Sequence, residues 1–152
     1  AYTTCMWYNL LTCKVIYDRE GRLAQAKERF SVPYPSELRE NILTRGWQLL
    51  HSSVPAYDAQ LIKAVKRGDM VSINHRASGF LETYFDFLFA LNREAHPGEK
   101  RLIQLCRERC AVLPAHFEEN LERLLLDLYH APGQVAADLQ TMILELEKIY
   151  QP

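Results

Sequence analysis

The sequence lacks the short motifs on which several common enzyme chemistries depend. It contains no glycine-rich phosphate loop, no GxSxG nucleophile motif and no GxGxxG dinucleotide motif. None of its four cysteines belongs to a CxxC pair, and its five histidines show no HxH or HxxxH spacing. A hydrolytic metal centre needs three convergent ligands and an open position, and the sequence indicates no such set.

The chain also lacks a surplus of charge of one sign. Its 18 Lys+Arg against 19 Asp+Glu give a formal net charge of -1. General nucleic-acid binders and membrane-surface binders need an excess of Lys and Arg, so we expect neither partner. No apolar run reaches the roughly 18 residues of a membrane-spanning helix, and the first twenty residues lack the order of a secretion signal. The expected compartment is the cytoplasm.

The cysteines leave three interpretations open. Cys106 and Cys110 are four residues apart, so a helix would place both on one face. They could be buried thiols, zinc ligands or a disulfide, and the absence of further ligands at metal-site spacing favours buried thiols.

What the sequence does contain is helical patterning over nearly its whole length. With 152 residues, 48% apolar and 24% charged, it is long enough for one domain with its own core. We predict an all-α helical bundle with one central buried helix and at most one short strand near the N-terminus. The predicted helices cover residues 3–12, 22–30, 36–51, about 54–67, 70–95, 99–109, 114–130 and 134–150.

The strand candidate is the β-branched and aromatic run at residues 14–18. Gly21 follows it and suits a turn with positive φ. A strand this short cannot stand alone, so it must pair with another strand or stay irregular. This run gives a first indication that a piece of sheet belongs beside this chain.

The segment 92–101, NREAHPGEKR, predicts an anion-binding site. Four cationic groups lie close together in it: Arg93, His96, Lys100 and Arg101. A turn at residues 97–98 and a helix beginning near Glu99 would direct free N–H groups beside them, an arrangement that binds phosphate or carboxylate. Asn92 and Asp86 would orient these side chains or bind a ligand hydroxyl. The alternative is a solvated helix junction in which Glu99 only favours the helix start.

Two Arg–His pairs fit a second chemistry. Helical RNases of the HEPN superfamily place a His four to six residues after an Arg, so that cation and base face one phosphodiester. His51 follows Arg45 by six residues and His130 follows Arg123 by seven, which is at or close to this spacing. Chance matches are expected in a helical chain that is rich in Arg.

Several phrases together resemble a known family. They are KVIYDREGRL at 14–23, YPSELRENI at 34–42, RGD at 67–69 and YFDFLFALNREAHPGEKRL at 84–102. They look like the helical portion of the domain of unknown function 4037 family, over about residues 13–122. In that family the helical portion follows a nucleotidyltransferase-fold domain. The resemblance implies an all-α domain that helps to form the substrate pocket. The residues carried over are Asn92, Arg93, His96, Glu99, Lys100 and Arg101, with Tyr84 and Asp86 on the preceding helix.

The chain departs from nucleotidyltransferases in one large respect. It has no GS turn followed by a DxD pair, and those Asp carboxylates would hold the metal ions of the reaction. The resemblance therefore implies a C-terminal substrate- or nucleotide-binding domain that is not catalytic alone and holds no cofactor itself. Mg²⁺ and a nucleoside triphosphate would belong to an N-terminal nucleotidyltransferase domain, its expected partner. The other ligand class is a phosphorylated or acidic molecule. The alternative is a helical module for protein interaction or self-association, for example as a homodimer.

Overall fold

The fold is all-α, as predicted, in a computed structural model that describes residues 3–151. In this range a π-helical turn continues α3 at Gln48–Ser52. The α-helices are α1 (Cys5–Thr12), α2 (Arg22–Phe30), α3 (Ser36–Trp47), α4 (Tyr57–Arg67), α5 (Met70–Leu91), α6 (Leu102–Arg109), α7 (Phe117–His130) and α8 (Val135–Ile149). The described residues contain no strand, and residues 14–18 are irregular.

Helix α5 is the central helix of the bundle, as its apolar sequence predicts. It contacts α3, α4 and α6, while α4 and α7 pack against α8. Its aromatic residues join the layers: Tyr84 stacks between Phe80 and Phe117, and Phe87 meets the ring of Tyr150 edge-on at 4.9 Å. Burial of this apolar surface is the main stabilising contribution.

The predicted helix through Ala95 ends four residues earlier, at Leu91, because a Schellman motif closes it. The N–H of Glu94 donates to the carbonyl of Phe89, and the N–H of Arg93 donates to that of Ala90. Arg93 takes the left-handed position at φ 58°. This position usually belongs to glycine, so no glycine marked the end of the helix in the sequence.

The following helix also begins later than predicted. Helix α6 starts at Leu102 instead of near Glu99, and Arg101 precedes it with φ 58°. The free N–H groups of α6 therefore lie beyond the 92–101 segment and not in its middle. Two other helices also begin later than predicted: α4 begins at Tyr57, after Pro55, and α7 begins at Phe117, after Pro114.

Gly46, which could have divided α3, lies inside it and allows it to approach α5. A Cβ at this position would lie 3.0 Å from Cδ2 of Phe87. Phe87 is fully buried, so it has little room to give way. Gly68 separates α4 from α5: it ends α4 with φ 65°, and Asp69 caps α5 through Ser72.

The four cysteines are free thiols. Cys106 and Cys110 are both buried, which confirms the buried-thiol interpretation for this pair. Their mutual hydrogen bond and their burial raise the pKa of the Cys106 thiol well above its usual range. Among the described residues, no helix is long and apolar enough to cross a membrane.

Candidate ligand-binding groove

A concave surface between α3 and α5 brings polar side chains of both charges together. We call it the α3–α5 groove. Its cavity volume is about 380 Å³, which lies in the range of small-molecule sites. Its lining residues are Thr3, Leu38, Asn41, Ile42, Arg45, Gly46, Leu49, Tyr57, Glu82, Thr83 and Asp86.

Helical spacing positions the polar side chains on the two walls of this groove. Asn41 and Arg45 are four residues apart on α3, and Glu82 and Asp86 are four residues apart on α5. Residues at this spacing share a helix face. The walls therefore present an amide and a guanidinium on one side and two carboxyl groups on the other.

Asp86 is the predicted site residue that the structure places in this groove. It is half-buried, and its Oδ2 accepts a hydrogen bond from the Thr3 hydroxyl at 2.5 Å. Burial raises the pKa of the Asp86 carboxyl, the bonds from Thr3 lower it, and the charge of Glu82 raises it further. A carboxylate can accept about four hydrogen bonds, so a ligand donor can share Asp86 with Thr3.

Tyr84 and His96, two further predicted site residues, are buried in the core. Tyr84 is 1% exposed and stacks on aromatic rings, and burial raises the pKa of its hydroxyl. His96 is fully buried: its main-chain N–H donates to Oγ1 of Thr4 at 2.8 Å, and its ring Nδ1 accepts from the main-chain N–H of Gly98 at 3.0 Å. Both side chains are therefore enclosed by residues of the domain itself.

Burial also sets the charge state of His96. Desolvation lowers the pKa of its imidazole to about 4, against a smaller opposing effect of the Glu82 charge. At neutral pH the ring is therefore neutral. It does not supply the positive charge that the sequence analysis assigned to it.

Asn92 binds the main chain of the same domain. Its Nδ2 donates to the carbonyls of Leu88 and Val112, at 2.9 and 2.8 Å, and its Oδ1 accepts from the N–H of Val112 at 2.8 Å. These bonds use both ends of the amide.

The remaining predicted residues are exposed at the surface. They are Arg93, Glu99, Lys100 and Arg101. The guanidinium of Arg101 donates to Oε1 of Gln104 at 2.9 Å. The structure therefore separates the predicted set into one groove residue, two core residues, one structural amide and a group of exposed charges. Anion binding by Arg93, Lys100 and Arg101 stays a prediction.

Asn41 and Glu82 were not singled out from the sequence, and Arg45 was named only as a partner of His51 and not as a residue of this groove. A signal was present on α5, because Glu82, Thr83 and Asp86 interrupt an otherwise apolar stretch of the central helix. No comparable signal marked α3, whose outer face is polar along most of its length.

The two Arg–His pairs already have other partners in the fold. Nδ1 of His51 lies 2.5 Å from the carboxylate of Asp58. The guanidinium of Arg123 binds Oδ1 of Asp138 and Oδ1 of Asn120, each at 2.8 Å. An RNA phosphate at either pair would compete with a carboxylate for one of its members.

The fold and the groove together define an all-α domain with a mixed-charge concave site. The profile of the family described as domain of unknown function (DUF4037) matches residues 4–102. The chain belongs to this family, which confirms the resemblance, although the match starts earlier and ends earlier than expected. All groove residues except Thr3 fall in the matched region, whereas α7 and α8 lie outside it. No curated protein and no solved structure gives a significant match to this chain.

Proposed function

We propose that this chain is a helical domain that binds a polar small molecule in the α3–α5 groove, beside a nucleotidyltransferase domain and without chemistry of its own. The observation that carries the proposal is the convergence of Asn41 and Arg45 with Glu82 and Asp86 in one cavity. Ligand sites usually combine an apolar floor with a few polar groups that fix orientation. Here Leu38, Ile42 and Leu49 belong to the apolar part of the lining.

The charges of the groove suggest the chemistry of the ligand. Carboxyl groups at Glu82 and Asp86 accept hydrogen bonds from hydroxyl or ammonium groups. The guanidinium of Arg45 suits a phosphate, a carboxylate or a hydroxyl oxygen on the same molecule. A hydroxylated substrate of mixed charge, or the sugar of a nucleotide, would satisfy both walls.

The nucleotidyltransferase part of the proposal rests on the sequence resemblance. Catalysis of that reaction requires carboxylates that hold Mg²⁺ around the triphosphate, and the sequence of this chain has no GS…DxD motif for them. Under the proposal, the partner domain supplies Mg²⁺, the triphosphate site and the reacting groups. This chain then positions the acceptor, and the exposed Arg93, Lys100 and Arg101 provide a second contact for phosphate.

An NMR titration of the purified chain tests the groove. The probes are glucosamine, which carries hydroxyl groups and an ammonium, and ATP. We expect amide shifts to cluster on the groove faces of α3 and α5. Arg45→Ala and Glu82→Gln should weaken binding at least about fivefold, as expected for the loss of a charge-assisted hydrogen bond. The matched control is Arg76→Ala, an exposed arginine of α5 that does not line the groove.

The outcomes separate the two candidate surfaces. ATP shifts at residues 93–101, abolished by Arg93→Ala or Lys100→Ala with the melting temperature unchanged, would place the anion at the predicted turn. Shifts at neither surface with either probe would contradict ligand binding by this chain. Incubation of the chain with ATP labelled at the α-phosphate, Mg²⁺ and glucosamine should give no nucleotidyl transfer.

A protein-interaction module is the second candidate, because one surface hollow is almost entirely apolar. It lies between α5, α6 and α7, and its apolar lining residues are Leu81, Phe85, Leu102, Ile103, Leu121 and Leu125. Leu125 of this lining is 41% exposed. Sedimentation velocity tests this alternative: concentration-dependent dimerisation that Leu125→Glu abolishes would support self-association through the hollow.

A further inference from the structure

The loop between α1 and α2 exposes an apolar run. Val15, Ile16 and Tyr17 are 40%, 93% and 77% exposed. Successive side chains of an extended chain point to opposite faces, so Val15 and Tyr17 would lie on one face and Ile16 on the other. β-branched and aromatic residues are the types that strands favour. In a strand over residues 14–18, Val15 and Tyr17 would form an apolar face, and Ile16 would lie on the other face between Lys14 and Asp18.

The main chain of this loop is also available for hydrogen bonding. Within residues 3–151, no hydrogen bond is found for the main-chain groups of residues 14–17. The last bond before the loop runs from the N–H of Cys13 to Asn9, and the first after it from the N–H of Gly21 to Asp18. A row of unpaired donors and acceptors of this kind is what a strand at a sheet edge presents.

Both ends of the loop are held by the helices beside it. The ammonium of Lys27 donates to the carbonyls of Leu11 and Cys13. At the other end, the carboxylate of Asp18 accepts from the N–H of Ala24 at 2.9 Å. These contacts fix where the run begins and ends, which lowers the entropy lost when a partner orders it.

We propose that residues 14–18 add as a strand to the open edge of a β-sheet in a partner domain. Strand addition pairs the main-chain groups and covers the side chains at once, whereas an apolar groove between helices would leave the main chain unpaired. The identity of the partner rests on the proposed function: the occupant is the sheet of the nucleotidyltransferase domain.

A second copy of the chain fits the same run less well. Two copies paired through residues 14–18 would form an isolated two-stranded ribbon of about five residues per strand. Such a ribbon is marginally stable in water, because its faces stay exposed. A sheet that already has several strands and covered faces removes this difficulty.

The test uses the natural gene product, expressed from its own gene and carrying p-benzoylphenylalanine at position 16. The control carries it at position 54, since Val54 is 98% exposed and lies outside the run. We expect irradiation to link position 16, and not position 54, to a peptide from the edge strand of a sheet. Amides 15–17 should exchange much more slowly in the assembled protein than in the isolated chain 1–152.

A pair of matched variants isolates the main-chain contribution. Ile16→Pro removes the N–H donor and fixes φ, whereas Ile16→Thr keeps the donor and a β-branched side chain. In these variants the photoreactive residue is placed at position 15. We expect the yield of the cross-link to fall about tenfold in Ile16→Pro and to persist in Ile16→Thr. Both variants should keep the melting temperature, because residue 16 lies outside the core.

Several results would overturn the strand proposal. They are the absence of a cross-link at position 16, a cross-link to a helical surface or to a second copy, and equal cross-linking yields in Ile16→Pro and Ile16→Thr. A cross-link to a sheet without nucleotidyltransferase motifs would keep strand addition and remove the proposed partner. Loss of ligand binding in the groove, with the cross-link intact, would remove only the groove part of the proposed function.

Discussion

The side chain of Asn92 and the main chain of Val112 bind each other in both directions. Nδ2 of Asn92 donates to the Val112 carbonyl, and Oδ1 accepts from the Val112 N–H, each at 2.8 Å. The pair ties the end of α5 to the connection that follows α6. A residue that its sequence context suggested as a ligand contact is therefore a structural link.

Asn92→Ala should destabilise the domain by about 1–2 kcal/mol, since it removes the two side-chain bonds to Val112 and one of the two bonds to the Leu88 carbonyl. Neighbouring Arg93→Ala removes only an exposed side chain and should change stability by less than about 0.5 kcal/mol. Urea denaturation of the two variants checks the contrast. Equal stability of Asn92→Ala and the parent would contradict the structural role.

Acidification should destabilise the protein through His96. Its pKa is about 4 in the folded chain, against a reference of 6.5, so between these values the unfolded chain binds the proton more tightly. The stabilisation is complete above about pH 6.5 and is lost as the pH falls towards 4. The pKa difference corresponds to about 3 kcal/mol.

Denaturation of the parent and of His96→Gln across pH 4–7.5 measures this contribution. The difference between the two free energies of unfolding should change over the window, because the variant has no group to protonate at this position. A difference that stays constant with pH would show that His96 does not cause the pH dependence of stability. An NMR titration of the His96 ring should place its midpoint near pH 4.

Arg123 should matter for stability because Asp138 is buried. Oδ1 of Asp138 accepts from Nε of Arg123 at 2.8 Å, and Asp138 is 4% exposed. Arg123→Ala leaves this carboxylate without its cation, and such losses cost about 3–5 kcal/mol in buried pairs. Because the guanidinium of Arg123 is partly exposed, we expect a cost at the lower end of this range.

Arg107→Ala is the matched control for Arg123→Ala. Arg107 lies 3.4 Å from Glu118 in a pair that is exposed on both sides, and such pairs contribute about 0–1 kcal/mol. Thermal denaturation of both variants tests the difference. RNA cleavage that Arg123→Ala abolishes without a loss of stability would instead favour the RNase interpretation.

The thiols should react in two classes. Cys106 and Cys110 are buried, whereas Cys5 and Cys13 are half-buried. Only accessible thiolates react quickly with a disulfide reagent such as DTNB. We expect Cys5 and Cys13 to react first and the buried pair to react only on unfolding. Detection of four thiols in denaturant, with slow reaction of the buried pair in the native chain, would confirm the assignment. Detection of only two thiols in denaturant would indicate a disulfide.

The sequence by itself determined the helical class, the central position of α5 and the turn at Gly68, because these features depend on local patterns of apolar residues and on glycine. The limits of α5 and α6 were not predictable in the same way. Arg93 and Arg101 occupy left-handed positions that glycine usually takes, so no glycine in the sequence marked either limit.

Only the tertiary structure decided which side chains meet. Thr3 binds Asp86 and Thr4 binds His96 across separations of 83 and 92 residues, and no local pattern encodes such pairs. Burial then decided their chemistry, since it makes His96 neutral and raises the pKa of Asp86. His96 therefore adds no positive charge to the 92–101 segment at neutral pH. The groove arises because two helices distant in sequence place polar faces opposite each other.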